Sequence, residues 1–249
     1  MDFSFQLYGA RNFPPVLGIL PKLKALGYTQ VEGFGGLYAN EPDMADILKS
    51  SGLTMPTGHF GLDMLQDTST TMKLAESLGT KTLFCPAVGP DLRSQSEDGW
   101  KALADTLGGL CEVYNKAGFK FGWHNHAFEF VPTASGRLPL EIILDDAPNL
   151  VWQDDVAWTV VGGQDPIKWI ERYADRLVSI HVKDIAPEGE CTDEDGWADV
   201  GQGTMDWPAI MQAVQSKTSC QSFVMEHDNP NDVVRFATRS IEFASKLGS

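Results

Sequence analysis

The stretch KAGFKFGWHNH, from Lys116 to His126, combines a helix end, a glycine, a short strand and a polar terminus. A segment with helical periodicity, Trp100–Lys116, leads into it, and Gly118 lies where a helix favours a left-handed C-terminal residue. The run Lys120–His124 is typical of a short buried strand. The stretch therefore predicts an α-turn-β unit whose strand ends at a histidine.

The same unit recurs along the chain. Its glycine appears in ALGY, SSGL, SLGT and KAGF, at Gly27, Gly52, Gly79 and Gly118. The predicted strands are Phe3–Tyr8, Gln30–Gly33, Thr54–Gly58, Thr82–Cys85, Lys120–His124, Val151–Asp155, Val178–Val182 and Ser222–Glu226. The other clear helical segments are Val16–Leu26, Met44–Lys49 and Thr71–Leu78.

Eight strands with intervening helices in 249 residues predict an α/β fold, a (β/α)8 TIM barrel. An open doubly wound sheet is disfavoured, because no GxGxxG follows the first strand. The glycine-rich segment Gly33–Gly36 lacks that spacing and is predicted to be a βα loop. No linker or break in composition divides the chain, so residues 1–249 are predicted to form a single domain.

The composition excludes several classes of protein. The 34 acidic and 19 basic residues give a net charge of −15, which disfavours nucleic acid as a partner. No apolar run is long enough to span a membrane, so we expect no membrane partner. No secretory signal is recognisable and the four cysteines form no CxxC pair, so a cytoplasmic chain with reduced thiols is expected. The sequence is compatible with a homo-oligomer.

Polar side chains gather at the predicted carboxyl ends of the strands, where a (β/α)8 barrel carries its active site. The five histidines at these ends are His59, His124, His126, His181 and His227. The other polar residues there are Glu32, Glu129, Asp154, Asp155, Lys183, Asp184, Glu226 and Asp228.

Each of these residues alone has a structural explanation, since a strand-end Asp often caps the next helix and a buried His is often only hydrogen-bonded. Asp154 and Asp155 point to opposite faces of their strand, so at most one enters the barrel mouth. Several carboxylates converging there would repel one another, and a divalent cation is the simplest compensation. Mixed oxygen and nitrogen ligands suit one ion of Mn²⁺, Co²⁺, Mg²⁺ or Zn²⁺.

Five motifs occur in one order along the chain: WHNHAFEF, WQDDVAWTVVGGQDP, VSIHVKD, VGQGTMDWPAI and VMEHD. With them the chain resembles, over nearly its whole length, the sugar phosphate isomerase/epimerase-like family of the xylose-isomerase-like TIM barrels. That resemblance implies one divalent metal held after strands five to eight. It implies Asp155 in DDVAW, His181 in IHVKD and Glu226 in VMEHD as ligands.

At strand five the chain departs from the family pattern. The ketose epimerases of this kind have a Glu at the strand end, whereas this chain has His124. Either His124 takes over the coordination or Glu129, five residues on, folds back to the metal. We favour Glu129, because a carboxylate keeps the ligand type.

The resemblance also implies chemistry beside a sugar carbonyl, through a metal-stabilised enediolate. Glu226 is then a ligand and a candidate base, with His124 or His126 as the opposing acid or base. Lys183 is expected to hold a hydroxyl group or polarise the carbonyl. The residues expected to bind the sugar are Glu32, His59 and Trp158.

These implications predict a metal-dependent sugar isomerase or epimerase acting on a small-molecule sugar. A lyase or hydratase acting on a keto-sugar or glycoside is the alternative, because WHNH resembles motifs of proteins that act on oxidised sugars. A non-catalytic sugar-binding protein stays open because of the altered strand-five residue. A DNA-repair endonuclease of the same superfamily is disfavoured by the net charge.

The segment from Asp184 to Asp206 contains eight acidic residues and no Lys or Arg. Barrels that bind phosphate commonly use the loops after strands seven and eight. An acidic loop at this place repels a dianion. We therefore expect a substrate without phosphate.

Overall fold

Eight parallel strands close into a barrel in the computed structural model, which describes residues 2–93 and 96–247. In chain order the strands are β1 (Phe3–Gln6), β2 (Gln30–Gly33), β3 (Thr54–His59), β4 (Thr82–Cys85), β5 (Lys120–His124), β6 (Val151–Asp155), β7 (Leu177–Val182) and β8 (Ser222–Met225). Each strand pairs with its sequence neighbours, and β1 closes the ring by pairing with β8. The predicted (β/α)8 barrel is confirmed.

Helices surround the strands. They are α1 (Leu20–Leu26), α2 (Gly35–Asn40), α3 (Met44–Ser51), α4 (Leu62–Gln66), α5 (Thr68–Leu78), α6 (Glu97–Lys116), α7 (Pro139–Asp146), α8 (Val156–Val161), α9 (Pro166–Arg172), α10 (Trp207–Lys217) and α11 (Val233–Leu247). Short 3-10 helices cover Leu7–Asn12, Val16–Ile19, Pro90–Leu92, Ala127–Phe130 and Thr192–Glu194. Within the described ranges, no helix has the length and apolar character that crossing a bilayer requires.

Two predictions near the start of the chain are wrong. β1 ends at Gln6, two residues before the predicted Tyr8, because a 3-10 helix begins at Leu7. The predicted loop Gly33–Gly36 instead contains the last residue of β2 and the first turn of α2. The four glycines that end helices have φ between 71° and 100°, the left-handed conformation that the sequence predicts.

Alternation along the strands separates the core from the site. In β5 and β6, Trp123 and Trp152 face outward, where the Trp152 ring packs against Trp169 of α9. The next residues along, His124 and Gln153, point into the barrel and contact each other. The outward residues therefore build the strand-helix core, and the inward residues build a polar interior.

A short antiparallel hairpin follows β7 and was not predicted. Its strands are Asp184–Ile185 and Trp197–Ala198. Asp184 anchors it by accepting hydrogen bonds from the backbone N–H groups of Gly201 and Met205. The residues between the two strands lie over the mouth of the barrel and line its cavity.

Candidate active site

Four buried side chains from four neighbouring strands meet at the carboxyl end of the barrel. They are His124 at the end of β5, Asp155 at the end of β6, His181 in β7 and Glu226 directly after β8, and one donor atom of each lies within 4.8 Å of the others. His181 Nδ1 is 2.7 Å from Glu226 Oε2 and 3.8 Å from Asp155 Oδ2. The structure thus brings together three of the expected metal ligands with His124.

Glu129 lies outside this group, and the preference for it over His124 is corrected. Its carboxylate accepts one hydrogen bond from the Trp123 indole N–H, at 3.0 Å, and one from the His126 backbone N–H, at 2.9 Å. Both oxygens are therefore engaged at the start of the 3-10 helix Ala127–Phe130. Burial raises the pKa of Glu129 to about 8, although these hydrogen bonds oppose the shift.

A second polar layer lies beneath the four side chains. Glu32 Oε1 is 2.7 Å from His181 Nε2, and Gln6 donates a hydrogen bond of 2.8 Å to the same oxygen. Gln153 contacts Glu32, His59 and His124. Glu32 was expected to bind the sugar, but it is fully buried below His181 and absent from the cavity wall, so that expectation is corrected.

Lys183 is enclosed. Its ammonium lies 3.6 Å from Asp155 Oδ2, 3.6 Å from Glu226 Oε2 and in closer contact with Asp228. The ring centroids of Trp197 and Trp158 are 4.1 Å and 4.8 Å from Nζ. Because Lys183 has no exposed surface, its expected contact with a substrate hydroxyl is replaced by charge compensation of these carboxylates.

The buried cationic and anionic side chains of the site shift one another's pKa values. Burial would lower the pKa of His181, but Glu226 and Glu32 raise it to about 10. Burial would raise the pKa of Glu226, but His181 and Lys183 hold it well below its ordinary value. For Asp155, burial dominates and raises the pKa. The structure therefore balances its buried carboxylates with His181 and Lys183.

A cavity of about 1010 Å³ opens above the four side chains. Its wall includes His59, His124, His126, Trp158 and Glu226. Nδ1 of His126 is buried and has no hydrogen-bond partner. Burial, reinforced by Lys183, lowers the pKa of His126 to about 3, so this imidazole is neutral.

Most of the eight acidic residues between Asp184 and Asp206 have structural partners. Those with partners are Asp184 on backbone N–H groups, Asp193 on Asn231, Glu194 and Asp199 on Arg235, and Asp206 as the cap of α10. Glu188, Glu190 and Asp195 are exposed and line the cavity. Of these eight acidic side chains, three are therefore exposed on the cavity wall.

The group of four fits a divalent ion. Asp155 Oδ2 is buried without a hydrogen-bond partner and lies beside the donor atoms of the other three residues. Two imidazole nitrogens with two carboxylate oxygens form a ligand set that suits Zn²⁺, Mn²⁺ or Co²⁺. His124, Asp155, His181 and Glu226 are the residues that would hold it.

Several residues of the site were not predicted. Gln6 and Gln153 lie inside the barrel. Gln6 is the last residue of β1, and Gln153 lies two residues before the end of β6. At such positions the sequence alone cannot separate a site residue from a core residue. Trp197 lies on the unpredicted hairpin. The alternation of β6 was a usable signal, because Asp155 enters the group while Asp154 accepts a hydrogen bond from Thr159.

The chain has sequence relatives. Residues 20–247 match the family model described as xylose isomerase-like TIM barrel. An inosose dehydratase of Geobacillus kaustophilus is 25% identical over 191 residues, 67% of this chain and 61% of that protein. An inosose dehydratase of Clostridium botulinum is 31% identical over 125 residues, 45% of this chain and 41% of that protein. The chain therefore spans less than two thirds of either relative.

Solved structures share the fold. A sugar phosphate isomerase/epimerase of Parabacteroides distasonis has a TM-score of 0.79 at 21% identity, covering 98% of each chain. A probable 3-DHS dehydratase of Bacillus anthracis has a TM-score of 0.76 at 13% identity, covering 98% of this chain and 99% of that chain. The IolI protein with a bound zinc atom has a TM-score of 0.75 at 17% identity, covering 100% of this chain and 96% of that chain. Because the family model spans most of its length, the chain belongs to the xylose isomerase-like TIM barrel family.

Proposed function

We propose that this protein is a divalent-metal-dependent lyase that removes water from a polyhydroxylated ketone without a phosphate group. The observation that carries the proposal is the buried group His124, Asp155, His181 and Glu226, of which His124 and Glu226 line the cavity. The relatives named inosose dehydratase support the reaction class and make an inosose the first substrate to test.

The residues of the cavity account for the proton transfers. An ion held by the group of four would polarise the carbonyl and stabilise the negative charge that develops on its oxygen. His126, which lines the cavity with an Nδ1 that has no hydrogen-bond partner, takes the proton from the carbon beside the carbonyl and becomes an imidazolium. The same imidazolium returns the proton to the β-hydroxyl, which leaves as water while the carbon–carbon double bond forms.

An isomerase or epimerase is the second candidate, because it shares the first proton transfer and returns the proton to carbon instead. The strand-five position favours the lyase. His59 also lines the cavity, but its Nε2 contacts Gln153 and Glu32, so we assign the proton transfer to His126, whose Nδ1 has no hydrogen-bond partner. Epimerisation requires a second base on the opposite face of the substrate. His59 and Trp158, which also line the cavity, remain the proposed sugar contacts.

The ligand assignment predicts a loss of turnover without a loss of fold. Glu226→Gln and His181→Ala should abolish turnover and stoichiometric Co²⁺ binding, while the far-UV circular dichroism spectrum stays native. Asp154→Asn is the control, since Asp154 is equally buried but bonds Thr159 outside the group. Full activity in either ligand variant would refute the assignment.

The proton-transfer assignment predicts a different pattern. His126→Ala should lower turnover by about 10²–10⁴-fold with Co²⁺ binding unchanged, because the imidazole moves a proton and binds no ion.

Mass spectrometry in D₂O distinguishes the lyase reaction from the isomerase reaction. Loss of one water supports the lyase, whereas deuterium uptake with an unchanged formula supports the isomerase.

A further inference from the structure

Gln153 lies at the centre of the polar layer beneath the proposed metal ligands. It is fully buried in β6, two residues before Asp155 and on the same inward face. Its Oε1 is 2.6 Å from His59 Nε2 and 3.0 Å from His124 Nδ1. Its Nε2 is 2.9 Å from Glu32 Oε2 and 2.9 Å from Ser179 Oγ. One amide therefore joins four side chains.

The partners decide how this amide is oriented. Donor groups surround the carboxylate of Glu32: the Gln6 amide donates to its Oε1 at 2.8 Å, and His59 Nε2 lies 3.2 Å from the same oxygen. A carboxylate in this setting accepts hydrogen bonds. The atom of Gln153 that faces Glu32 must then be the NH₂ group, and the atom that faces the two histidines must be the carbonyl oxygen.

The orientation of the amide determines the histidine tautomers. A carbonyl oxygen only accepts, so His124 must carry its proton on Nδ1, and its Nε2 keeps a free lone pair. Glu32 likewise accepts from His181 Nε2, at 2.7 Å, so Nδ1 is the nitrogen that faces Glu226 and Asp155 and would exchange its proton for an ion. The two histidines are thus prepared to bind an ion through different nitrogens.

We propose that Gln153 is the positioning residue of the metal site, holding His124 directly in the tautomer that can coordinate, and His181 through Glu32 in the orientation that directs Nδ1 at the site. The inference rests on the metal group of the proposed function. It predicts that Gln153 acts on metal affinity through hydrogen bonds that touch no ion. Thr80 provides a comparison, because it is equally buried but its hydroxyl donates to the Met55 carbonyl, outside the polar layer.

The experiment titrates Co²⁺ into metal-free protein and follows its visible absorption. Gln153→Met should weaken Co²⁺ binding by about 10–100-fold, while Thr80→Val, which also removes a buried hydrogen bond, changes it little. Gln153→Glu should recover most of the affinity, because a protonated carboxyl group beside Glu32 keeps one donor and one acceptor oxygen. Equal Co²⁺ affinity in Gln153→Met and wild type would overturn this inference and leave the proposed function unaffected.

A second measurement does not depend on the folding of a variant. In the ¹⁵N-labelled metal-free wild type, the histidine ring spectrum should show the His124 proton on Nδ1. A proton on Nε2 of His124 would overturn the inference. Failure of the wild type to bind Co²⁺ would overturn both this inference and the proposed function, so the two failures are distinguishable.

Discussion

Glu129 shows how a single buried carboxyl group makes the stability of this barrel depend on pH. Burial raises its pKa from 4.5 to about 8, and neither the opposing hydrogen bonds nor the charge of Arg93 reverses the shift. Below pH 4.5 the group is protonated in both the folded and the unfolded chain. As the pH rises toward 8, the unfolded chain releases this proton first, and the folded state loses stability.

Replacing Glu129 with Gln should remove this pH dependence. The free energy of unfolding of the wild type, relative to Glu129→Gln, should fall between pH 4.5 and pH 8, with a slope of at most about 1.4 kcal/mol per pH unit. Urea unfolding of both proteins across this range measures the difference and cancels the other titrating groups. A constant difference would mean that Glu129 is ionised in the fold.

Single residues also mark the limit of what the sequence could predict about the site. Asp155, His181 and Glu226 were predictable, because each occupies a strand end that the barrel brings to one face. The choice between His124 and Glu129 as the ligand was not predictable. It depends on the Trp123 indole and the His126 backbone N–H, which hold the Glu129 carboxylate away from the group. Burial of such a carboxylate follows from the tertiary packing.

At the scale of elements, two glycines of the outer helices allow the effect of backbone conformation on stability to be compared where packing is the same. Gly109 lies in the interior of α6, and Gly79 follows the last residue of α5 with φ of +77°. A Cβ atom added at either position meets nothing within 4 Å. The two sites therefore offer equal space but different conformations.

The same substitution should have opposite effects at these two sites. Gly109→Ala should raise the free energy of unfolding by about 0.5–1 kcal/mol, because alanine loses less conformational entropy in a helix. Gly79→Ala should lower it by about 1 kcal/mol, because the left-handed conformation brings Cβ close to the backbone. Urea unfolding measures both, and changes of the same sign would contradict the argument.

The strand positions were largely predictable because short apolar runs flanked by glycine are local signals. β2, β4, β5 and β6 have the predicted bounds. The hairpin Asp184–Ile185 with Trp197–Ala198 was not predictable in this way, since its two-residue strands carry no periodicity. Its position depends on hydrogen bonds from distant backbone groups to Asp184.

At the scale of the whole molecule, the net charge of −15 acts through its distribution. The sequence predicts an acidic loop near the mouth, but five of its eight acidic residues have partners: two are in ion pairs, one caps a helix and two accept hydrogen bonds from neutral groups. Glu188, Glu190 and Asp195 remain exposed on the cavity wall, where Arg11 is the one Lys or Arg among the lining residues described.

The negative charge on the cavity wall should disfavour the binding of a phosphorylated substrate. We expect a phosphorylated analogue to bind more weakly than the neutral ketone by about tenfold or more at low salt, with the difference shrinking as NaCl screens the charges. Glu188→Gln combined with Glu190→Gln should narrow the difference. The control is Glu76→Gln combined with Glu112→Gln, which makes the same charge change at exposed positions outside the cavity wall. Calorimetric titration gives both affinities. Preference for the phosphorylated analogue, with an affinity that falls as salt rises, would contradict the prediction, because such behaviour requires a local cationic site stronger than the acidic mouth.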